Sequence, residues 1–542
     1  MTQKRWILGA AVLGSGIVFL DSTVVNVAMP RIGQDLPRLF LGVLEGQSYV
    51  YNGYLLTLSS LLILAGAMAD YYGRRRMFAI GTAGFGAASV LCGLSPNMEF
   101  LVVARIIQGA FGALLVPGSL ALITSNFEGE EQGRAFGIWA GAGAGLTILG
   151  PFVGGLLVDT ISWRAVFLIN VPFVLLALYA LRNIPESRDE ASSGDFDWLG
   201  ATLAFLAVGG LAIGAIYGQQ RNWQGALPFV FLAVGAASLV AFPFVMARRP
   251  HPLVPLGLFS SRNFTVVNIS TLVIYGSLYV TFLFNGLFLQ GTIGYTAAAA
   301  GLVGIPGSLL LTFFSARVGR FSARYGPRWF MTVGPALMGL GVLLLARVPS
   351  TTQAWHLVPN RAVSFIPPTG YLVDLLPGLL LFGIGLTIMV APLTTALMTS
   401  VPAHNSGLAS AINNAISRVG PQLAGAAIFV AITGSFYSGL ASRIHGLDAT
   451  SATLRSQVAP LNAPNARVSI AGASGGDLAA AARQASTDAY HLAMFVGAGL
   501  LFAGAIINGL GIRTPGPAGE PATRPEDEAR VEPGTTAAAA AG

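Results

Sequence analysis

Apolar residues fall along this chain in runs of about 20, separated by polar or glycine-rich connections. A helix needs about 20 predominantly apolar residues to cross the hydrocarbon core of a bilayer, so each run predicts one spanning helix. Fourteen spans are expected, near 6–30, 47–69, 77–94, 100–124, 134–158, 164–182, 198–218, 226–246, 264–289, 297–318, 329–346, 372–399, 407–434 and 490–512. An even number puts both termini on one side. Short connections on that side hold fifteen basic residues, from Lys4 and Arg5 to Arg324 and Arg328. Those on the other side hold six: Arg31, Arg38, Arg164, Arg221, Arg347 and Arg361. Basic residues collect in short cytoplasmic connections, so both termini are expected in the cytoplasm. Two stretches break the pattern. Residues 435–489 are rich in Ala, Ser, Gly and Asn and read as an external loop. Residues 514–542 are rich in Pro, Glu and Ala and read as a disordered cytoplasmic tail.

Within the runs the charged residues stand out. Of 23 acidic residues, Asp70 and Asp374 fall at the ends of expected spans and Asp21 alone falls deep inside one. A charged carboxylate in the middle of a bilayer costs about 2.5–3.5 kcal/mol on insertion scales, so it normally faces a cavity or a partner. Loss of water disfavours its charged form. Asp21 therefore reads as a proton or cation site, with a structural acid bonded to a neighbouring helix as the alternative. Arg105, Gln108, Gly109 and Gly112 follow i, i+3, i+4, i+7 spacing and share one helix face. A buried arginine needs acceptors. If Arg105 lies beside Asp21, it favours the carboxylate in one state and frees it to take a proton in another. Arg418 is the second intramembrane arginine. Lining a vestibule and pairing with backbone carbonyls are both open for it. Asn26, Tyr54, Asn268, Tyr275, Asn285 and Asn413 are further polar or aromatic candidates for a substrate cavity, with contact to a neighbouring helix as the alternative.

Composition narrows the function. At 54% hydrophobic and 10% charged, the 542 residues are those of a membrane protein and not a soluble domain. The formal net charge of +7 is almost all arginine between spans, with no basic tract of the kind that binds nucleic acid. The one cysteine, Cys92, excludes an intrachain disulfide and a cysteine metal cage. The five histidines are scattered over loops and one span edge, which leaves no metal site and no clustered acid–base pair for a membrane enzyme. No folded sensor domain supports a receptor or channel. No Gly-rich Lys-Ser/Thr loop supports an ATP-driven pump. The N-terminal run is interrupted by Asp21 and lacks a small-residue cleavage site, so it reads as the first span and not as a signal peptide.

One turn recurs. Gly66 to Arg76, GAMADYYGRRR, ends the second span, and Gly319 to Arg328, GRFSARYGPR, ends the tenth. Both carry a Tyr-Gly turn followed by arginine. Two related halves around a central site is a transporter plan.

These motifs resemble the major facilitator superfamily, and within it the fourteen-span drug:proton antiporter branch. Leu20 to Pro30, LDSTVVNVAMP, is similar to the branch's first-helix signature. Gly66 to Arg76 resembles the superfamily's loop between helices two and three. Leu101 to Gly112 resembles the fourth-helix signature. Gly150-Pro151-Phe-Val-Gly154-Gly155 resembles the antiporter signature of the fifth helix, with Leu146 where a glycine is usual. Gly407 to Gly420 resembles the thirteenth span.

The resemblance implies an all-α fold of two six-helix bundles, 1–183 and 263–513. A linker, 184–262, carries two extra, peripheral spans. It implies that Asp21 and Arg105 couple protons. It implies that Asp70, in the loop motif with Gly66, Gly73, Arg74 and Arg75, meets the N-terminus of the eleventh helix and stabilises one access state. Ala323 stands in the acid's place in the second copy, so only one half carries this latch. The glycines before Pro151 offer a smooth face for rocking. The expected function is proton-coupled export of hydrophobic, neutral or monocationic compounds across a bacterial inner membrane. The proton gradient supplies the energy and no cofactor takes part. A dedicated substrate, such as a self-made antibiotic, lipid or siderophore, is the alternative, and some relatives use a periplasmic adaptor. One titrating acid implies one proton per cycle, which makes dications poor substrates.

Overall fold

The computed structural model describes residues 3–37, 39, 43–186, 196–220, 225–358, 361–444, 447–448, 454, 458, 460–461 and 475–513. The described residues form α-helices with short 3-10 and π turns and no strands. The first half holds α1 (Gln3–Asp35), α2 (Val43–Tyr72), α3 (Arg74–Gly93), α4 (Met98–Gly112), α5 (Leu115–Thr124), α6 (Gly129–Thr160), α7 (Ala165–Leu168) and α8 (Asn170–Leu181). Then come α9 (Trp198–Gln220) and α10 (Leu227–Arg248). The second half holds α11 (Arg262–Leu287), α12 (Ala297–Leu302), α13 (Ile305–Tyr325), α14 (Arg328–Leu345), α15 (Leu376–Thr399), α16 (Ser406–Arg443) and α17 (Gly475–Gly511).

Pairs α4–α5, α7–α8 and α12–α13 each continue one span, which gives the fourteen expected. Thirteen are long and apolar enough to cross a membrane. The sixth, Ala165–Leu181, is a shorter apolar segment broken at Ile169.

Two expectations change. The loop expected at 435–489 is helical at both ends, since α16 runs to Arg443 and α17 begins at Gly475. The alanine-rich start of α17 has high helix propensity. It buries Leu478, Ala482, Ala485 and Ala489 on one stripe. The middle of that loop and the 514–542 tail lie outside the described residues. The extra pair is not wholly peripheral either. α9 packs against α2 and α16, so it touches both halves, while α10 packs on the far side of α9. α10 is the least buried of the thirteen candidate spans.

The halves meet where small residues let backbones approach, as helix packing in lipid requires. α6 lies along α13. A methyl on Gly141 would sit 2.6 Å from Ser315 Oγ and 2.8 Å from the Thr312 carbonyl oxygen. Ser315 Oγ also donates to the Gly137 carbonyl at 2.6 Å. α2 lies along α16, where a methyl on Gly66 would sit 2.6 Å from the Gly407 carbonyl oxygen. These approaches fall toward the face that carries the N-terminus and Arg513. The turns there are made by Gly73 (φ 105°) and Gly326 (φ 83°). That left-handed region favours glycine, so the two copies of the repeat share a backbone device as well as a sequence.

Candidate functional site

Asp21 is fully buried in the first half, enclosed by α2, α3, α4 and α8. Its Oδ2 accepts from Arg105 Nη1 at 2.6 Å. Its Oδ1 accepts from Gln108 Nε2 at 3.1 Å and from Asn170 Nδ2 at 3.0 Å. Arg105 Nη1 also donates to Gln108 Oε1 at 2.6 Å, and Arg105 Nε donates to the Val50 carbonyl at 3.3 Å. The guanidinium lies 4.0 Å from the centre of the Tyr54 ring, a cation–π contact. Ser89 Oγ accepts from both amides, at 2.8 Å from Gln108 and 3.3 Å from Asn170. Cys92 Sγ donates to Gln108 Oε1 at 3.5 Å.

The i, i+3 spacing of Arg105 and Gln108 is what aims both at one carboxylate. Three groups in the cluster keep unused capacity. Arg105 Nη2, Asn170 Oδ1 and the Tyr54 hydroxyl have no hydrogen-bond partner. The charge is balanced, and the spare donors and acceptor leave the network room to rearrange.

The loop motif forms a second polar centre, at the terminal face. Asp70 Oδ1 accepts from Arg74 Nε and Nη2, both at 3.1 Å, and from Gly407 N at 3.3 Å. Its Oδ2 accepts from Leu408 N at 2.9 Å. Arg74 Nη2 donates to the carbonyls of Ala403 at 2.5 Å and His404 at 3.1 Å. A carboxylate on the first amides of a helix is favoured by the helix dipole. The helix is α16, the thirteenth span; the two extra spans shift the family's count by two. Gly73 gives room for Glu186, whose two oxygens accept from Arg75 N and Arg76 N at 3.0 Å each and cap α3. Arg75 Nε donates to the Leu181 carbonyl at 3.0 Å. In the second copy Arg328 Nε instead donates to the Gly509 carbonyl near the end of α17, at 2.8 Å.

The glycines of α6 serve two partners. Gly137 and Gly141 face α13, while Gly150 and Gly154 face Thr23 and Val24 of α1. Gly155 meets only Val27, at 3.9 Å. Pro151 lies inside α6 and removes one helix hydrogen bond.

The remaining candidates divide. Asn413 Nδ2 donates to Asn268 Oδ1 at 3.1 Å and to Thr271 Oγ1 at 2.9 Å, which joins α16 to α11. Asn285 Oδ1 accepts from Tyr490 at 2.9 Å. Asn26 is exposed and donates to the Ser22 carbonyl of its own helix. Tyr54, Gln108 and Arg105 gather around Asp21, and Tyr275 and Arg418 lie near one another. Sequence reasoning missed Asn170 as a site residue. It also missed Ser89 and Glu186. A lone amide inside an apolar run, and an acid just past the sixth span, were the available signals.

A bundle of this form, with one carboxylate sealed inside a half and a latch between halves, is that of a membrane transporter. The chain belongs to the Major Facilitator Superfamily, whose family model matches residues 11–425. It is 33% identical over 413 residues to the multidrug resistance protein Stp of Mycobacterium tuberculosis, covering 76% of this chain and 72% of that one. It is 33% identical over 453 residues to the puromycin resistance protein pur8 of Streptomyces alboniger, covering 82% and 84%. It is 32% identical over 422 residues to the tetracenomycin C resistance and export protein of Streptomyces glaucescens, covering 78% and 74%. Among solved structures, the proton:xylose symporter XylE matches with a TM-score of 0.55 at 14% identity, covering 93% of this chain and 95% of that one.

Proposed function

We propose that the chain is a proton-coupled exporter. A proton enters at Asp21 while a hydrophobic compound leaves, and the halves alternate between inward and outward access. The observation that carries this reading is the Asp21–Arg105 pair, buried at 2.6 Å with spare donors around it. Protonation of Asp21 would cancel the pair's attraction and free Arg105, so occupancy by a proton changes what holds α1 to α4. With both termini in the cytoplasm of a bacterial inner membrane, the face closed by Asp70 and the α6–α13 contact is the cytoplasmic one. This conformation then faces outward. The proton gradient is the energy source, with no cofactor.

Gradient-driven efflux from everted vesicles tests it, wild type against Asp21→Asn. Loss of efflux with compound binding retained is the expected result. Unchanged gradient-driven efflux would remove Asp21 from coupling. Export of one dedicated compound is the second reading. It is favoured by relatives named for a single antibiotic, tetracenomycin C or puromycin, against one named for multidrug resistance. Efflux across a chemically mixed compound panel separates the two. The panel run with and without a periplasmic adaptor tests whether one takes part.

A further inference from the structure

The cluster around Asp21 balances its own charge, but Arg418 does not. It stands about a third of the way along α16, and among the described residues it makes no hydrogen bond or ion pair. Gly407, Ala411, Asn414 and Arg418 follow i, i+4, i+7, i+11 and share one face of α16. At Gly407 and Ala411 this face meets Gly66 of α2. Arg418, two turns further along, turns toward the same helix. Its guanidinium is within Coulombic reach of Tyr51 and Tyr54 on α2 and of Tyr275 on α11. It is only partly buried. Partial access amid tyrosines of α2 and α11 places it between the two halves. The Tyr54 hydroxyl is buried without a partner and is within reach of both Arg418 and Asp21.

We propose that Arg418, with the hydroxyls of Tyr51, Tyr54 and Tyr275, is a subsite for a negatively charged oxygen, carboxylate or phenolate, on an aromatic compound. A guanidinium keeps its charge at all working pH values and presents a planar fork of donors. A cation held out of water with no counter-charge is costly, so a ligand that brings an anionic oxygen is favoured twice, by pairing and by ending the deficit. Tyrosine hydroxyls add donors, and the rings offer flat apolar surface to an aromatic body. The same charge disfavours cationic compounds. Counting acids alone leaves monocations open; the unpaired arginine narrows the class to neutral or anionic compounds. This inference rests on the transporter reading but not on proton coupling.

The test is equilibrium binding to the purified full chain in nanodiscs, without any gradient. The probes are two xanthene dyes of opposite charge, fluorescein and rhodamine 123. Wild type is expected to bind fluorescein the more tightly. Arg418→Gln is expected to weaken fluorescein by about tenfold or more, the loss of one charge-assisted hydrogen bond, while rhodamine 123 binding holds or improves. Arg418→Lys keeps the charge and should restore part of the affinity, which separates recognition from a folding defect. Tyr275→Phe should weaken fluorescein less. Equal affinity for the two dyes, no fluorescein binding, or an equal loss of both dyes in Arg418→Gln together with Arg418→Lys overturns the proposal. So does displacement of fluorescein in proportion to added phosphatidylglycerol, which would make the subsite a lipid-phosphate site. Asp21→Asn should leave the dye preference intact, so unchanged gradient-driven efflux in that variant with the preference preserved would count against coupling alone.

Discussion

A buried ion pair that loses one member leaves an uncompensated charge, at a cost of about 3–5 kcal/mol. Arg105→Ala should therefore lower the melting temperature far more than a surface substitution, because it strands Asp21 among Gln108 and Asn170. The double variant Asp21→Leu/Arg105→Met removes both charges and should regain most of the lost stability while transporting nothing against a gradient. Thermal melting and vesicle efflux, measured on the same preparations, check both halves of that statement. If the double variant melts as low as Arg105→Ala, the pair has a structural role beyond charge. Asn170→Ala removes one donor from the carboxylate, and about 1.5–3 kcal/mol is expected for a hydrogen bond to a charged group. Asp21, Arg105 and Gln108 were legible because a charge in an apolar run and an i, i+3 pair need no knowledge of the fold. Asn170 and Ser89 were not, since they reach Asp21 from α8 and α3, and nothing in a local pattern says which spans will touch.

At the scale of elements, the closed face rests on two contacts of different kinds. The latch is electrostatic. Asp70→Asn keeps the side-chain shape but loses the ion pair with Arg74 and weakens the hold on the first amides of α16. Ser406 is fully buried in this conformation. A Ser406→Cys probe in a Cys92→Ser background should be alkylated several-fold faster when Asp70→Asn is added, and an unchanged rate would show that the latch does not govern closure. The other contact is steric. Gly141→Ala would drive a methyl against Ser315 and Thr312, whereas at Gly145 the nearest atom, Thr312 Cγ2, is 3.5 Å away. Transport should fail in Gly141→Ala and persist in Gly145→Ala, read as initial efflux rates at matched protein levels. The resemblance of the loop motif put Asp70 at a helix N-terminus, while its ion pair with Arg74 is legible only in the structure. The Glu186 cap on α3 went unread because its acid lies 110 residues from the Arg76 amide it binds.

At the scale of the whole molecule, the placement of charge decides what force can drive transport. The first half keeps a neutral pair, Asp21 with Arg105, while Arg418, which makes no ion pair among the described residues, stands near Tyr51 and Tyr54 of one half and Tyr275 of the other. One proton entering as a monocation leaves moves no net charge, so only the pH gradient acts, about 1.4 kcal/mol per pH unit. A neutral compound adds the membrane potential once, about 2.3 kcal/mol per 100 mV. An anion leaving as a proton enters moves two charges the same way, about 4.6 kcal/mol per 100 mV. In proteoliposomes clamped with potassium and valinomycin, a step of about 60 mV should then change the limiting gradient of an anionic substrate about a hundredfold and of a neutral one about tenfold. A hundredfold response ties the Arg418 subsite and the Asp21 site into one cycle. A tenfold response for a carboxylate-bearing compound would mean that its neutral acid form is carried and that Arg418 meets only the uncharged molecule. No response at all would contradict one-for-one exchange of a proton with either class. The extra helices bear on the same cycle, because α9 packs on both α2 and α16, the helices that bring Tyr54 and Arg418 together. If α16 tilts as the halves alternate, α9 must follow it, so α9 belongs to the moving interface while α10 lies on its outer side.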